Sequence, residues 1–434
     1  MKKRICLLLS LLLMLLSVSA LAEAPAEPVD YAGQLRLNMH SETAKAEVTV
    51  KTFIDGDTTH FNVPQSVSDN GVLKARYLAV NTPEVTGKIE EYGKKAAAFT
   101  REKLSSAVSI IVESDTSDWN LDSTGERRLV WVWYKAEGAS EYRCLNIELL
   151  QNGLCIANST ANNRYGSTAM AALNQARALK LNVYSGQKDP DFYYGEAIEL
   201  TLKELRTNLD AYNGKKVAFN GVVTMNSSNS VFVEAQDPET GLYFGMSVYY
   251  GYGLSGTGLN ILNVGNEVRI VGTLQYYEAG GTWQVSGLTY RMMKPKDPGN
   301  IQKLSEGHEP AYVLTSPDTF VNGQVTIAGE TGETVFSYAE LAMSTSIQMH
   351  GLVVEHVYTT DNEDSSSNGA MTLTCSKDGV TVLVRTAVLY DAEGKLVTDD
   401  AFWGKTIDVK GVVDFYDGKH QVKVLTLNSI TFHD

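Results

Sequence analysis

Four short stretches between residues 55 and 128 place carboxylates and guanidiniums where they could meet an ion. Asp55-Gly56-Asp57-Thr58 reads as a tight turn between a strand over Glu47 to Ile54 and a return through His60-Phe61-Asn62-Val63, which puts two carboxylates at a hairpin tip. Such a turn also arises for structural reasons alone, because Asp and Gly supply hairpin turns widely. In the third strand, Ala75-Arg76-Tyr77-Leu78-Ala79-Val80, alternation directs Arg76 to the same side as Leu78 and Val80, with Tyr77, Ala79 and Asn81 opposite. A guanidinium on an apolar face needs a partner, either an internal carboxylate or an anionic ligand at the barrel wall. Pro83, with no amide hydrogen to donate, ends the strand and fixes Glu84 at its rim. Arg127 and Arg128 open the apolar run Leu129-Val130-Trp131-Val132-Trp133. Alternation gives one guanidinium to each face, so one of the pair is directed at whatever Arg76 faces; surface charge is the plainer reading of the pair alone.

The segments between these stretches supply a frame. Glu90 to Ala107 reads as a helix with Ala96, Phe99, Leu104 and Ala107 near one side, and Ser109 to Glu113 as a strand. A polar loop follows from Asp115 to Glu126, and further helices are expected near Asn146 to Asn152 and Ser167 to Leu179. The seven histidines are scattered, with no His-x-His or His-Glu-x-x-His pair, so a zinc centre is not expected. Cys144, Cys155 and Cys375 show neither a Cys-x-x-Cys spacing nor a disulfide framework, and are read as buried thiols.

At 434 residues and roughly 150 per domain the chain needs several cores, about three. Its net charge of −14 excludes a general nucleic-acid coat, so any polyanion site must be local. The charge is unevenly spread: residues 31–190 hold 18 basic and 18 acidic side chains, residues 191–434 hold 16 and 30. Lys2, Lys3 and Arg4 precede an apolar run from Ile5 to Leu16 and the small-residue stretch Ser17 to Ala22, the order of a secretory leader. About a dozen apolar residues fall short of the ~20 that span a bilayer, so cleavage and free secretion are expected. After Gly195 short alternating runs separated by Gly, Asn, Asp and Ser dominate, and they repeat. Lys216 to Val223 with Val264 to Gly272 and Trp283-Gln284-Val285 is echoed by Ile347 to Val354 with Trp403 to Gly411 and His420-Gln421-Val422. Two small five-stranded barrels are expected. The expected organisation is a leader at 1–22, a linker at 23–44, a mixed domain at 45–186, a barrel at 197–293, a linker at 294–335 and a second barrel at 336–434. Neither Asp361-Asn362-Glu363-Asp364, half of a calcium loop, nor His350 with His356 is read as a site.

Taken in order, Asp55-Gly56-Asp57-Thr58, Arg76 to Glu84, Tyr92 to Thr100 and Gly125 to Trp133 resemble the staphylococcal nuclease (thermonuclease) family of calcium-dependent phosphodiesterases, over about residues 45–186. The resemblance implies an OB-type five-stranded barrel with three helices, giving a multidomain, mainly β protein: an α+β N-terminal domain, then two OB-like barrels. It implies Ca2+ as cofactor, DNA and RNA as substrates, and 3′-phosphorylated products. It assigns Asp57, Asn81 and the Thr82 carbonyl to calcium, Glu84 as general base, and Arg76 with Arg127 to the phosphate; Arg127 stands two residues before Leu129, as the family's arginine does, and Arg128 is its alternative. Asp55 is then a neighbour of the metal.

The chain departs from the family in three places. Asn81 replaces a frequent aspartate, Glu126 is inserted before Arg127, and Ser159-Thr160 stand where a tyrosine-bearing segment is common. Trp119 is the candidate substitute for base stacking. The competing expectation is a non-catalytic exported protein, a decayed barrel with OB-like modules gripping nucleic acid, glycan or a surface partner. For the acidic modules themselves, protein or glycan contacts are expected as readily as single strands.

Overall fold

A computed structural model of the chain describes residues 27–433 except 86, 159–161, 252–253, 279, 330–331, 363–364 and 366. The leader expected at 1–22 and the Ser159-Thr160 positions lie outside the described residues. Among those described, no helix is long and apolar enough to cross a membrane.

The first barrel is built from β1 (Lys45–Phe53), β2 (Thr58–Asn62), β3 (Val72–Tyr77), β5 (Ala107–Glu113) and β6 (Arg128–Ala136), with short β4 (Ala79–Asn81), β7 (Arg143–Cys144) and β8 (Ile156–Asn158) at its margins. Its strands run in the order β3-β2-β1-β5-β6, and β6 closes on β3 in parallel. β1 alternates buried and exposed along its first half, as a strand with one wet face must. Val130 to Tyr134 in β6 is instead buried throughout, because helix α3 (Leu145–Gln151) covers the face that the barrel interior does not. Helices α2 (Gly93–Ser105) and α4 (Gly166–Ala178) complete this core, burying Ala96 and Leu104 from one and Ala169, Ala172 and Leu173 from the other.

The second barrel comprises β10 (Lys216–Ser227), β11 (Ser230–Gln236), β12 (Tyr243–Tyr249), β13 (Glu267–Tyr277) and β14 (Thr282–Ser286), flanked by β9 (Ile198–Glu199) and β15 (Gln302–Ser305). The third uses Ser346–Thr359, Met371–Lys377, Val380–Thr386, Thr406–Tyr416 and Lys419–Val424. Numbering the five strands of each barrel in chain order, all three close in the ring 1-2-3-5-4, with strands 3 and 5 parallel. The fold is therefore mainly β, an OB-type barrel with helices followed by two further OB-like barrels.

Two segments read as linkers are packed. Within 23–44, helix α1 (Tyr31–Gln34) buries Ala32 in the first core, and Asp30 takes two hydrogen bonds from the Arg143 guanidinium at 2.8 and 2.9 Å. Within 294–335, Ile301 is buried under the second barrel, and the hairpin Gln324–Gly329 with Gly332–Ser337 buries Ile327 there. Single apolar side chains dock both segments. Between the second and third barrels, the buried Glu234 carboxylate accepts from the Ala311 N–H at 2.8 Å, the Ser346 N–H at 2.6 Å and the Ser346 hydroxyl at 2.8 Å.

The third strand of the first barrel does not continue as the alternation predicts. It stops at Tyr77, and Ala79 takes a left-handed φ of 70° that turns the chain away to pair β4 with β8. Asn146, fully buried in α3, spans the gap. Its amide donates to the Leu78 carbonyl at 2.9 Å and the Val130 carbonyl at 3.1 Å, and its oxygen accepts the Val132 N–H at 2.9 Å. Asn146→Ala strands the Leu78 carbonyl and the Val132 N–H, while the Val130 carbonyl keeps the Leu78 N–H at 2.8 Å, and the expected cost is about 1–3 kcal/mol. Urea unfolding followed through Trp131 and Trp133 fluorescence measures it; an unchanged midpoint contradicts the role.

Candidate active site

The β2–β3 register brings Thr58 opposite Arg76, so the acidic turn before β2 lies beside the end of β3. The turn does not present its carboxylates to solvent. Asp57 is 0% exposed and Asp55 is buried too, because the turn packs under α2. The Thr100 hydroxyl donates to the Gly56 carbonyl at 2.6 Å, and a methyl on Gly56 would lie 2.8 Å from Thr82 Cγ2 and 3.0 Å from Ala96 Cβ. Glycine is required there by space, not by backbone conformation.

Every oxygen of Asp57 has a partner. Oδ1 forms an ion pair with Arg76 and accepts the Thr58 hydroxyl at 3.1 Å, while Oδ2 accepts the Thr82 N–H at 2.7 Å. Its own N–H donates to Asp55 at 3.0 Å. Burial first, then the neighbouring Asp55 charge, pushes the Asp57 carboxyl up, against the pull of Arg76 and the Thr82 N–H. The second guanidinium nitrogen of Arg76 donates to Asn81 Oδ1. Alternation places Arg76 and Asn81 on opposite faces; the left-handed turn at Ala79 reverses that and brings them together. Arg76 thus faces inward as expected, and its partner is an internal carboxylate.

Glu84 stands half-buried after Pro83, its N–H donating to Glu90 at 3.2 Å. Burial and the Asp55 charge raise its carboxyl above the ordinary range, and Glu90 adds to this; Arg76 and, more weakly, Arg127 pull it down. Arg127 precedes β6 and is held by Asp122, Nε at 2.7 Å and Nη2 at 2.6 Å from the same oxygen. Burial opposes ionisation of Asp122, but the Thr124 hydroxyl and Arg127 outweigh it and hold the carboxyl at about 2. Arg128 is turned elsewhere, onto the Trp119 carbonyl at 2.9 Å. Sequence reasoning missed Asp122 and Glu90 as partners of Arg127 and of the Glu84 backbone; the Asp at the head of the polar loop, five residues before Arg127, was the available signal for the first.

Asp57, Arg76, Asn81 and Thr82 thus gather around one turn and one strand end, with Glu84 two residues further along, while Arg127, paired with Asp122, precedes the strand that pairs with β3. Among the described residues no three His, Cys, Asp or Glu side chains cluster as a metal set, so a cation here must rely partly on neutral oxygens. The oxygens present fit a hard divalent ion. Asp57 Oδ1 and Asn81 Oδ1 already converge on a single positive charge, that of Arg76, and Thr82 Oγ1 beside them is buried with no partner among the described residues. Thr82 has a backbone carbonyl to add.

Gly56→Ala forces Thr82 or α2 to move, and the expected destabilisation is about 1–3 kcal/mol, read as a lowered urea midpoint. A variant of unchanged stability contradicts the packing described. Residues 74–186 match the family model described as staphylococcal nuclease homologue, a family of nuclease type. The match begins at Lys74, two residues before Arg76, so the acidic turn lies outside it and is joined to it by the β2–β3 ladder. This chain carries a staphylococcal nuclease homologue domain at residues 74–186, followed by two further OB-like barrels.

Proposed function

We propose that the protein is a secreted, calcium-dependent nuclease that hydrolyses phosphodiester bonds of DNA and RNA and leaves 3′-phosphorylated products. The observation that carries this is geometric: Arg76 is held by Asp57 and Asn81, the Thr82 N–H is bonded to Asp57 two residues before Glu84, and the β3–β6 pairing sets Arg76 opposite Leu129, two residues after Arg127. A phosphodiester resists attack because it is anionic, so a catalyst must offset charge on the non-bridging oxygens while a base prepares water. Arg76 and Arg127 supply that offset. Glu84 takes the proton as water attacks phosphorus; the bond to the 5′ oxygen breaks, and that oxygen takes a proton from solvent. Asp57, Asn81 and the Thr82 carbonyl would hold calcium, which when bound supplies a further positive centre for the phosphate oxygens.

Arg76 is paired with the Asp57 and Asn81 oxygens assigned to calcium, and Arg127 with Asp122. Both arginines therefore exchange a carboxylate for phosphate when substrate binds. Asn81, neutral where the family often has aspartate, leaves the site one negative charge short and favours a weaker metal affinity. Export rests on the order of charges and apolar residues in the first 22 positions.

Calcium-dependent release of acid-soluble nucleotides from plasmid DNA measures the activity. Removing calcium with a chelator is expected to abolish it, and Glu84→Gln to lower the rate by about 10²–10⁴-fold. Equal release by Glu84→Gln removes the assigned base and favours a binding protein with a decayed site. Arg127→Gln is expected to cost at least about tenfold, and Arg128→Gln far less, since its guanidinium serves the Trp119 carbonyl. The reverse ranking assigns the phosphate to Arg128.

A further inference from the structure

A cavity of about 570 Å3 lies between the first and second barrels, within the roughly 300–1,000 Å3 of ordinary small-ligand pockets. Phe53 and Asp55 form one side with Val85, the residue after Glu84, and with Arg101 of α2; Gln275 and Tyr277, at the end of β13, form the other. The two sides are tied together. Arg101 pairs with Glu278, and Gly287 of the second barrel sits so close to the loop after Glu84 that a methyl on it would lie 3.3 Å from the Gly87 carbonyl.

Gln275 is the informative residue. Leu274 faces the interior of the second barrel, so its neighbour Gln275 points outward, yet Gln275 is only 6% exposed and lines this cavity. Its Oε1 is buried and has no hydrogen-bond partner among the described residues. A buried acceptor left without a donor is unfavourable, and an entering N–H would satisfy it. Asp55 lines the same cavity and accepts the Asp57 N–H, so the space abuts the turn that carries the proposed chemistry.

The charges select the ligand. Lys94 and Arg101 face Asp55, Glu102 and Glu278, an excess of one carboxylate, so the cavity does not favour a phosphate. Its walls suit a flat ring: the Arg101 guanidinium lies over the Phe53 ring at 4.6 Å, and Tyr277 is 36% exposed at the opposite side. Resting on the nuclease reading for why nucleic acid is present, we propose that this cavity takes one nucleobase of the substrate next to the scissile phosphate, its edge N–H donated to Gln275 Oε1 and its face stacked on Tyr277. A base reaches it only out of the helical stack, so single strands are the preferred substrate class. The second barrel then contributes to the site by recognising a base.

Equilibrium binding to the full-length chain carrying Glu84→Gln, with calcium present, tests this without turnover. The probes are a fluorescent single-stranded oligonucleotide and a series of the same length, each with one abasic position. One abasic position is expected to weaken binding about tenfold, and that penalty is expected to vanish when Gln275→Leu or Tyr277→Ala is added, with thermal unfolding unchanged. Equal binding of intact and abasic probes, or a penalty that survives both substitutions, overturns the assignment. If the unsubstituted chain cleaves nothing while the abasic penalty and its loss in the variants are observed, the nuclease reading falls and the base site stands.

Discussion

Asp57 is a carboxylate with no exposed surface whose two oxygens are claimed by a guanidinium, a hydroxyl and a backbone N–H from three parts of the chain. Burying a carboxylate is unfavourable unless each lone pair meets a donor, so the position of every donor is constrained at once. Arg76 must sit opposite Thr58, which fixes the β2–β3 register. Thr82 must return to the turn, which fixes where the chain goes after Tyr77. Glu84 follows two residues later and inherits its place from Thr82. The arrangement of the site is thus a consequence of satisfying one buried charge, and Gly56, with no side chain to hold α2 away, makes the burial possible.

The parts of this that could be read from the sequence are those governed by local rules. Periodicity over Glu90 to Ala107 pointed to the helix, which runs Gly93–Ser105, and to the apolar run of β6, and the repeated runs after Gly195 correspond to two barrels of identical strand order. The inward aim of Arg76 followed from alternation alone. What alternation could not give was the left-handed turn at Ala79, because alanine carries no signal for positive φ; the bend is imposed by β4 pairing with β8, some 75 residues on, and by Asn146. The partners of Arg127 and Arg128 were equally hidden. Each faces a different backbone or side-chain partner, Asp122 or the Trp119 carbonyl, and both partners sit in an irregular loop where spacing does not predict direction.

Inter-barrel contacts were the least legible of all. A composition rich in proline, glycine and charge looks like a tether whether or not one isoleucine is buried beneath it, as Ile301 and Ile327 are. Glu234 shows the same limit in polar form. In sequence it is one acid among the 30 after residue 190, yet it is the acceptor that joins the second barrel to Ala311 and Ser346. Its burial, like that of Asp57, is made tolerable by donors that are remote in the chain.

The acidic surplus of the second half bears on how the barrels can divide their labour. Residues 197–293 hold 6 basic and 8 acidic side chains and residues 294–434 hold 10 and 20, so repulsion of phosphates falls mainly on the chain beyond the second barrel, which is itself nearly balanced. The geometry at the junction is consistent with that balance: the face turned toward the nuclease-type domain carries Tyr276, Tyr277 and the amide of Gln275, and its one carboxylate there, Glu278, is neutralised by Arg101.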